Sequence, residues 1–212
     1  MVTETSVDDL VELLRTLTAS GGGRTMVGIV GAPGSGKSTL ATLLAERLVD
    51  HGAVVVPFDG FHLANAVLER RGLQGNKGAM ETFDLDGYAH LLQRLRRAST
   101  TVYAPDYDRS IEEPIAGAVA VPPSSRVVIT EGNYLLADHP AARRAKRALD
   151  AVWYLDLDED TRTERLVERH IRFGKTPAEA RTWVAGSDQR NADLVARTRE
   201  KADLVVRLPD SR

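Results

Sequence analysis

Two rhythms of apolar residues alternate along the chain. Val7, Leu10, Val11, Leu14 and Leu17 recur at helical spacing. They predict a helix over residues 7–17, with Ser6 and Asp9 as a capping pair and Gly21, Gly22 and Gly23 ending it. Residues 26–30 (MVGIV) are instead a continuous apolar run, long enough for a buried strand and too short for a helix. Leu40, Leu43, Leu44 and Leu48 then stripe a helix over residues 37–51 that stops at Gly52.

The alternation continues to the end. Strands are predicted over residues 53–58, 126–130, 151–157 and 203–208, and helices over 86–98, 141–149 and 160–171. Gly174 closes the last of these helices. Thr176, Pro177 and Glu179 then supply an N-cap, a first-turn proline and a capping-box acid for the next one. Near-continuous apolar strands between helices predict an α/β fold: a doubly wound parallel sheet of about five strands with helices on both faces. Residues 99–125, with Pro105, Pro114, Pro122 and Pro123, carry no clear pattern and read as a binding region.

Composition narrows the possibilities. The 212 residues suit one domain over 1–212, and 42% hydrophobic with 27% charged residues is a globular balance. A formal net charge of −2 offers no footprint for nucleic acid or for a membrane surface. The absence of cysteine excludes disulfides, thiolate catalysis and cysteine–zinc sites. With no secretory pattern at the start and no apolar run near the roughly 20 residues that cross a bilayer, the expected location is cytoplasmic.

Candidate chemistry begins between the first predicted strand and its helix. Gly31-Ala32-Pro33-Gly34-Ser35-Gly36-Lys37-Ser38 matches G-x-x-x-x-G-K-[ST] at every fixed position, and Thr39 follows within the helix. Glycines let the backbone curl so that its N–H groups, and the helix N-terminus behind them, face phosphates. Lys37 is then expected at the β- and γ-phosphates of ATP and the Ser38 hydroxyl on Mg²⁺. The only Asn-Lys pair, Asn76-Lys77, is followed by Gly78-Ala79, which fails the guanine-reading pattern of a GTPase.

In open α/β sheets ligands sit at the carboxyl ends of strands, and two strands here run into acids. These are Asp59-Gly60-Phe61-His62 and Glu131-Gly132-Asn133-Tyr134. Asp59 is the candidate base toward an acceptor hydroxyl and Glu131 the candidate Mg²⁺ carboxylate, although sequence allows the two roles to be exchanged. Arg162, Arg165, Arg169 and Arg172 recur every three or four residues; such a stripe is ordinarily a solvated face.

The segments GAPGSGKS, DGFH, KGAMETFD, YAPDYDR and ITEGNYLL, in that order, resemble the bacterial pantothenate kinase, uridine kinase and phosphoribulokinase family. The likeness is greatest to its nucleoside/nucleotide kinase-like branch, also labelled fructose-transport-system kinase-like, and spans about residues 25–208. It implies a P-loop kinase fold with a helical lid near residues 160–192, ATP and Mg²⁺ as cofactors, and a small-molecule hydroxyl acceptor as partner. It also implies a homodimer.

By the same resemblance Asp59 is the base. Phe61, His62, Pro105, Tyr107 and Arg109 face the acceptor, with Asn133 and Asn191 as further contacts, and Arg169 and Arg172 close over the γ-phosphate. The chain departs from the Asp-Ser-Phe-Tyr of uridine kinases and from the Glu-Gly-Leu-Asn of pantothenate kinases. The acceptor expected first is a nucleoside or sugar. A pantothenate-like molecule, a nucleotide acceptor, and a regulatory protein with slow ATP hydrolysis are the alternatives.

Overall fold

The computed structural model describes residues 3–209. Its centre is a six-stranded, wholly parallel sheet in the order β1-β8-β7-β2-β6-β3. The strands are β1 (Thr3–Glu4), β2 (Thr25–Val30), β3 (Val54–Pro57), β6 (Val127–Glu131), β7 (Ala151–Leu155) and β8 (Leu204–Arg207). Five of them are the strands that the sequence predicts. The sixth, β1, has two residues, too few for any periodicity to register.

Side chains alternate across the sheet and divide the core in two. Val27 and Ile29 of β2, with Trp153 of β7, pack under helices α1 (Val7–Ser20) and α2 (Lys37–Arg47). Met26 and Val30 face the other way, under α4 (Leu85–Arg97) and α5 (Pro140–Arg147). A strand buried on both faces needs apolar residues at every position, which is why β2 and β6 read as unbroken apolar runs. Gly28 is an exception with a reason: a Cβ there would lie 2.8 Å from Leu149 Cδ1 and 2.9 Å from Leu135 Cδ2.

The irregular stretch folds. Residues 102–121 form an antiparallel pair, β4 (Val102–Asp108) and β5 (Glu113–Val121), standing apart from the main sheet. Pro105 and a register shift between Ala104 and Asp106 hide its alternation. Between β3 and α4 lies the short helix α3 (Asn65–Arg70).

The segment in which the sequence places a lid forms three helices: α6 (Glu159–Arg172), α7 (Pro177–Trp183) and α8 (Gln189–Ala196). Thr176 and Glu179 form the expected capping box at the start of α7. A π-turn over Val184–Asp188 joins α7 to α8, a local distortion that often accompanies ligand sites. No helix among the described residues is long and apolar enough to cross a membrane.

Candidate active site

Parallel register assembles the site. Ile29 and Pro57 are both in register with Glu131, so the loop after β2, the turn after β3 and the end of β6 meet at one edge of the sheet. The phosphate-binding loop runs from Gly31 to Gly36, and Gly34 (φ +84°) and Gly36 (φ +93°) take left-handed conformations open to glycine. At Gly34 the space is also closed, because a Cβ would lie 2.7 Å from Leu166 Cγ. No side chain caps α2, so the amides of its first turn are left for an anion.

Lys37 is buried, and its Nζ donates to the loop's own Ala32 carbonyl at 3.0 Å. Burial lowers its pKa to about 8, against the opposing pull of the Glu131 and Asp59 carboxylates. The Ser35 hydroxyl is also buried and finds no partner among the described residues. A curled loop, an uncapped helix start, a buried ammonium and an orphaned hydroxyl together fit a polyphosphate.

Ser38 Oγ donates to Glu131 Oε1 at 3.1 Å. Glu131 is buried, and its pKa is raised above the ordinary carboxylate range, first by burial and then by the charge of Asp59; Lys37 and Ser38 pull it back. A buried carboxylate beside the Ser38 hydroxyl and at the mouth of the phosphate loop fits a cation carried by the phosphates. No group of three or more His, Cys, Asp or Glu side chains gathers among the described residues. That suits Mg²⁺, which takes one or two protein oxygens together with substrate phosphates, better than it suits a dedicated metal cage.

Asp59 lies in a 3₁₀ turn over Phe58–Phe61, just past the end of β3. Phe58 anchors the turn by stacking on Phe83 with centroids 4.5 Å apart. Arg109 Nη2 donates to Asp59 Oδ2 at 2.9 Å. His62 Nδ1 lies 2.8 Å from the Asp59 carbonyl; a carbonyl only accepts, so Nδ1 carries the proton and Nε2 is an acceptor. Burial holds the His62 pKa below its ordinary value, which keeps the ring neutral at pH 7. Its ring lies 4.8 Å from that of Tyr107.

A cavity of about 200 Å³ is lined by Lys37 and Ser38, Asp59 and Glu131, His62, Tyr107, Arg109 and Asn133, and also by Arg169 of α6 and Asn191 of α8. Of the phosphate-loop residues that the sequence singles out, Gly31, Ala32, Ser35, Gly36 and Thr39 do not line it, and of the acceptor and lid residues Phe61, Pro105 and Arg172 stay outside it. Phe61 turns into the core edge against Tyr88, centroids 5.2 Å apart. Arg172 is exposed at the end of α6. Seven residues fall about 20° short of two helical turns, so Arg169 overlays Arg162 while Arg165 and Arg172 point about 60° away. Burial lowers the Arg169 pKa from its ordinary value, leaving the guanidinium charged.

The cavity also takes in residues to which the sequence assigns no site role, Lys77 and Phe83 of the KGAMETFD segment among them. Lys77 donates to Asn65 Oδ1 at 2.7 Å and lies 5.4 Å from the centre of the Tyr107 ring. Phe83, Glu112 and Phe173 line it as well. Asp188, the last residue of the π-turn, pairs with His170 at 2.7 Å.

A family model described as AAA domain matches residues 27–182. The protein named "Putative uridine kinase C227.14" from Schizosaccharomyces pombe is 32% identical over 194 residues, covering 86% of this chain and 83% of that one. The chain belongs to the P-loop kinase family. A pantothenate kinase of Clavibacter sepedonicus is 29% identical over 211 residues, with 86% of this chain and 66% of that one covered. The crystal structure of a "putative fructose transport system kinase" from Silicibacter sp. TM1040 superposes on this kinase with a TM-score of 0.86. It is 41% identical and covers 95% of this chain and 98% of that one.

Proposed function

We propose that this P-loop kinase transfers the γ-phosphate of ATP-Mg²⁺ to a hydroxyl of a small metabolite of the nucleoside or sugar class. One observation carries the reading: the Asp59 carboxylate opens into the same cavity as Lys37, Ser38, Glu131 and Arg169. A phosphate loop that only sensed nucleotide would have no use for a carboxylate and a walled acceptor space beyond the γ-phosphate.

In the reaction Asp59 accepts the hydroxyl proton as the hydroxyl oxygen bonds to the γ-phosphorus. The bond from that phosphorus to the β–γ bridging oxygen breaks, and ADP leaves with the electron pair. Lys37 and Arg169 hold the charge on the moving phosphoryl group. Ser38 and Glu131 would hold Mg²⁺, which neutralises charge across the β- and γ-phosphates when bound. Arg109, 2.9 Å from one oxygen of the Asp59 carboxylate, holds it in place.

The rings of His62 and Tyr107 form one side of the acceptor space, with Asn133 and Asn191 as amide contacts. Rings flanked by amides suit a small, ring-shaped polar molecule, and the names of the uridine kinase and fructose-system relatives point the same way. The test is ADP release from ATP-Mg²⁺ across nucleosides, sugars, pantothenate and nucleoside monophosphates, with the phosphorylated product identified by mass. Acceptor-dependent ADP release and a product heavier by one phosphate support the proposal. Slow ADP release indifferent to every acceptor contradicts it.

A further inference from the structure

Arg162 has no part in the transfer described above, yet its side chain is almost wholly buried, 2% exposed. A buried guanidinium left without acceptors is strongly destabilising, so each of its contacts matters. Nε and Nη2 donate to the Glu159 carboxylate at 3.1 and 2.5 Å. Nη1 donates to the Pro33 carbonyl at 3.2 Å, inside the phosphate loop. Nη2 also donates to Gln189 Oε1 at 2.6 Å, on the first residue of α8. One side chain thus touches the nucleotide loop, its own helix and the far arm of the lid.

The neighbours of Gln189 face the other substrate. Asp188 and Asn191 both line the acceptor end of the cavity. Asn191 Nδ2 donates to the Gly78 carbonyl at 3.3 Å, and Tyr134 donates to the same oxygen at 2.7 Å. Gly78 follows Lys77, which also lines the acceptor end. The loop is equally committed on its side: the closed space at Gly34 is made by Leu166 and by the Arg162 carbonyl, 3.0 Å from where a Cβ would stand. Among the described residues, the Arg162 side chain hydrogen-bonds both to Pro33 of the loop and to Gln189 of α8, so a change at Pro33–Gly34 has a polar route into α8 through it.

We infer that Arg162 is a positioning residue that couples occupancy of the phosphate loop to the order of α8 and of the Gly78 turn, so that nucleotide prepares the acceptor site. The reason is geometric. The Pro33 and Gln189 bonds share one rigid planar fork, so fixing the loop fixes the angle at which α8 is held. The inference deepens the kinase reading but is tested on the protein's own amides. Its failure is therefore separable from failure to find an acceptor.

The experiment is hydrogen exchange with and without the non-hydrolysable ATP analogue AMP-PNP and Mg²⁺, on the wild type, Gln189→Ala and Arg162→Lys. In the wild type the analogue is expected to slow exchange over residues 188–193 and at Gly78 about tenfold. Gln189→Ala severs only the α8 arm. It is expected to bind the analogue within about twofold of wild type and to lose that slowing. Arg162→Lys keeps the charge without the fork, and is expected to lose the slowing and some analogue affinity. Once an acceptor is known, Gln189→Ala raises its KM and leaves kcat near wild type. Retention of the slowing in Gln189→Ala would overturn the inference. So would an equal loss of analogue affinity in both variants, which would make Arg162 a prop of the nucleotide site alone.

Discussion

Arg109 Nη2 and Asp59 Oδ2 lie 2.9 Å apart, which joins the end of the β4 strand to the turn after β3. The carboxylate is held through one oxygen, and the other is left for a hydroxyl. Arg109→Gln removes the charge and the aim together. Acceptor kcat/KM is expected to fall about 10- to 100-fold with analogue affinity little changed. Steady-state kinetics beside a titration with AMP-PNP checks both halves.

The β4–β5 pair reaches the site because Gly60 lets it in. A Cβ on Gly60 would lie 2.5 Å from the Pro105 carbonyl oxygen, a backbone atom that can yield only if the hairpin moves. Gly60→Ala is expected to cost about 1–3 kcal/mol of stability by overpacking. It should also raise acceptor KM by displacing Tyr107 and Arg109. Denaturant unfolding and acceptor kinetics on one preparation read the two effects.

Gly34 combines a left-handed φ of +84° with a space already filled by Leu166. Gly34→Ala therefore strains the loop and pushes it from α6. Analogue binding should weaken at least about tenfold, with a loss of about 1–3 kcal/mol in stability. Calorimetry and thermal unfolding measure these.

The pH dependence of nucleotide binding has two limbs. Burial puts the free Lys37 near a pKa of about 8. Phosphate favours the charged form, so binding takes up a proton and weakens as pH rises past that value. Burial and Asp59 raise Glu131. A bound cation favours its carboxylate, so binding releases a proton and weakens as pH falls through the raised value. Affinity for Mg²⁺-AMP-PNP should be greatest near neutral to mildly alkaline pH. Glu131→Gln is expected to flatten the acid limb and keep the alkaline one. Calorimetry in two buffers of different ionisation enthalpy reports the proton released or taken up on each side.

Much of this site was legible because its parts are local. The phosphate loop is contiguous, and Asp59 and Glu131 stand where apolar strands stop, so pattern alone puts them at one edge of the sheet. The hairpin was not legible: its alternation is broken at Pro105, and β5 is largely exposed through Ile115, Ala116, Gly117 and Ala118. Lys77 and Glu112 reach the cavity from segments whose meeting depends on that hairpin. Phe61 and Arg172 show the limit of neighbourhood arguments. Each sits near functional residues in sequence, yet Phe61 turns inward and Arg172 has rotated off the cavity face. Arg162 shares the stripe with Arg169, and only packing distinguishes the buried side chain from the one that lines the cavity.

The central claim is tested most directly by comparing acceptor-dependent ADP release in the wild type and in Asp59→Asn, with AMP-PNP affinity measured on both. A fall of at least about 100-fold in acceptor-dependent turnover, with analogue affinity unchanged, is the predicted result. Turnover that survives the substitution, or ADP release equally slow in both proteins with every acceptor present, would contradict Asp59 as the base and the reading built on it.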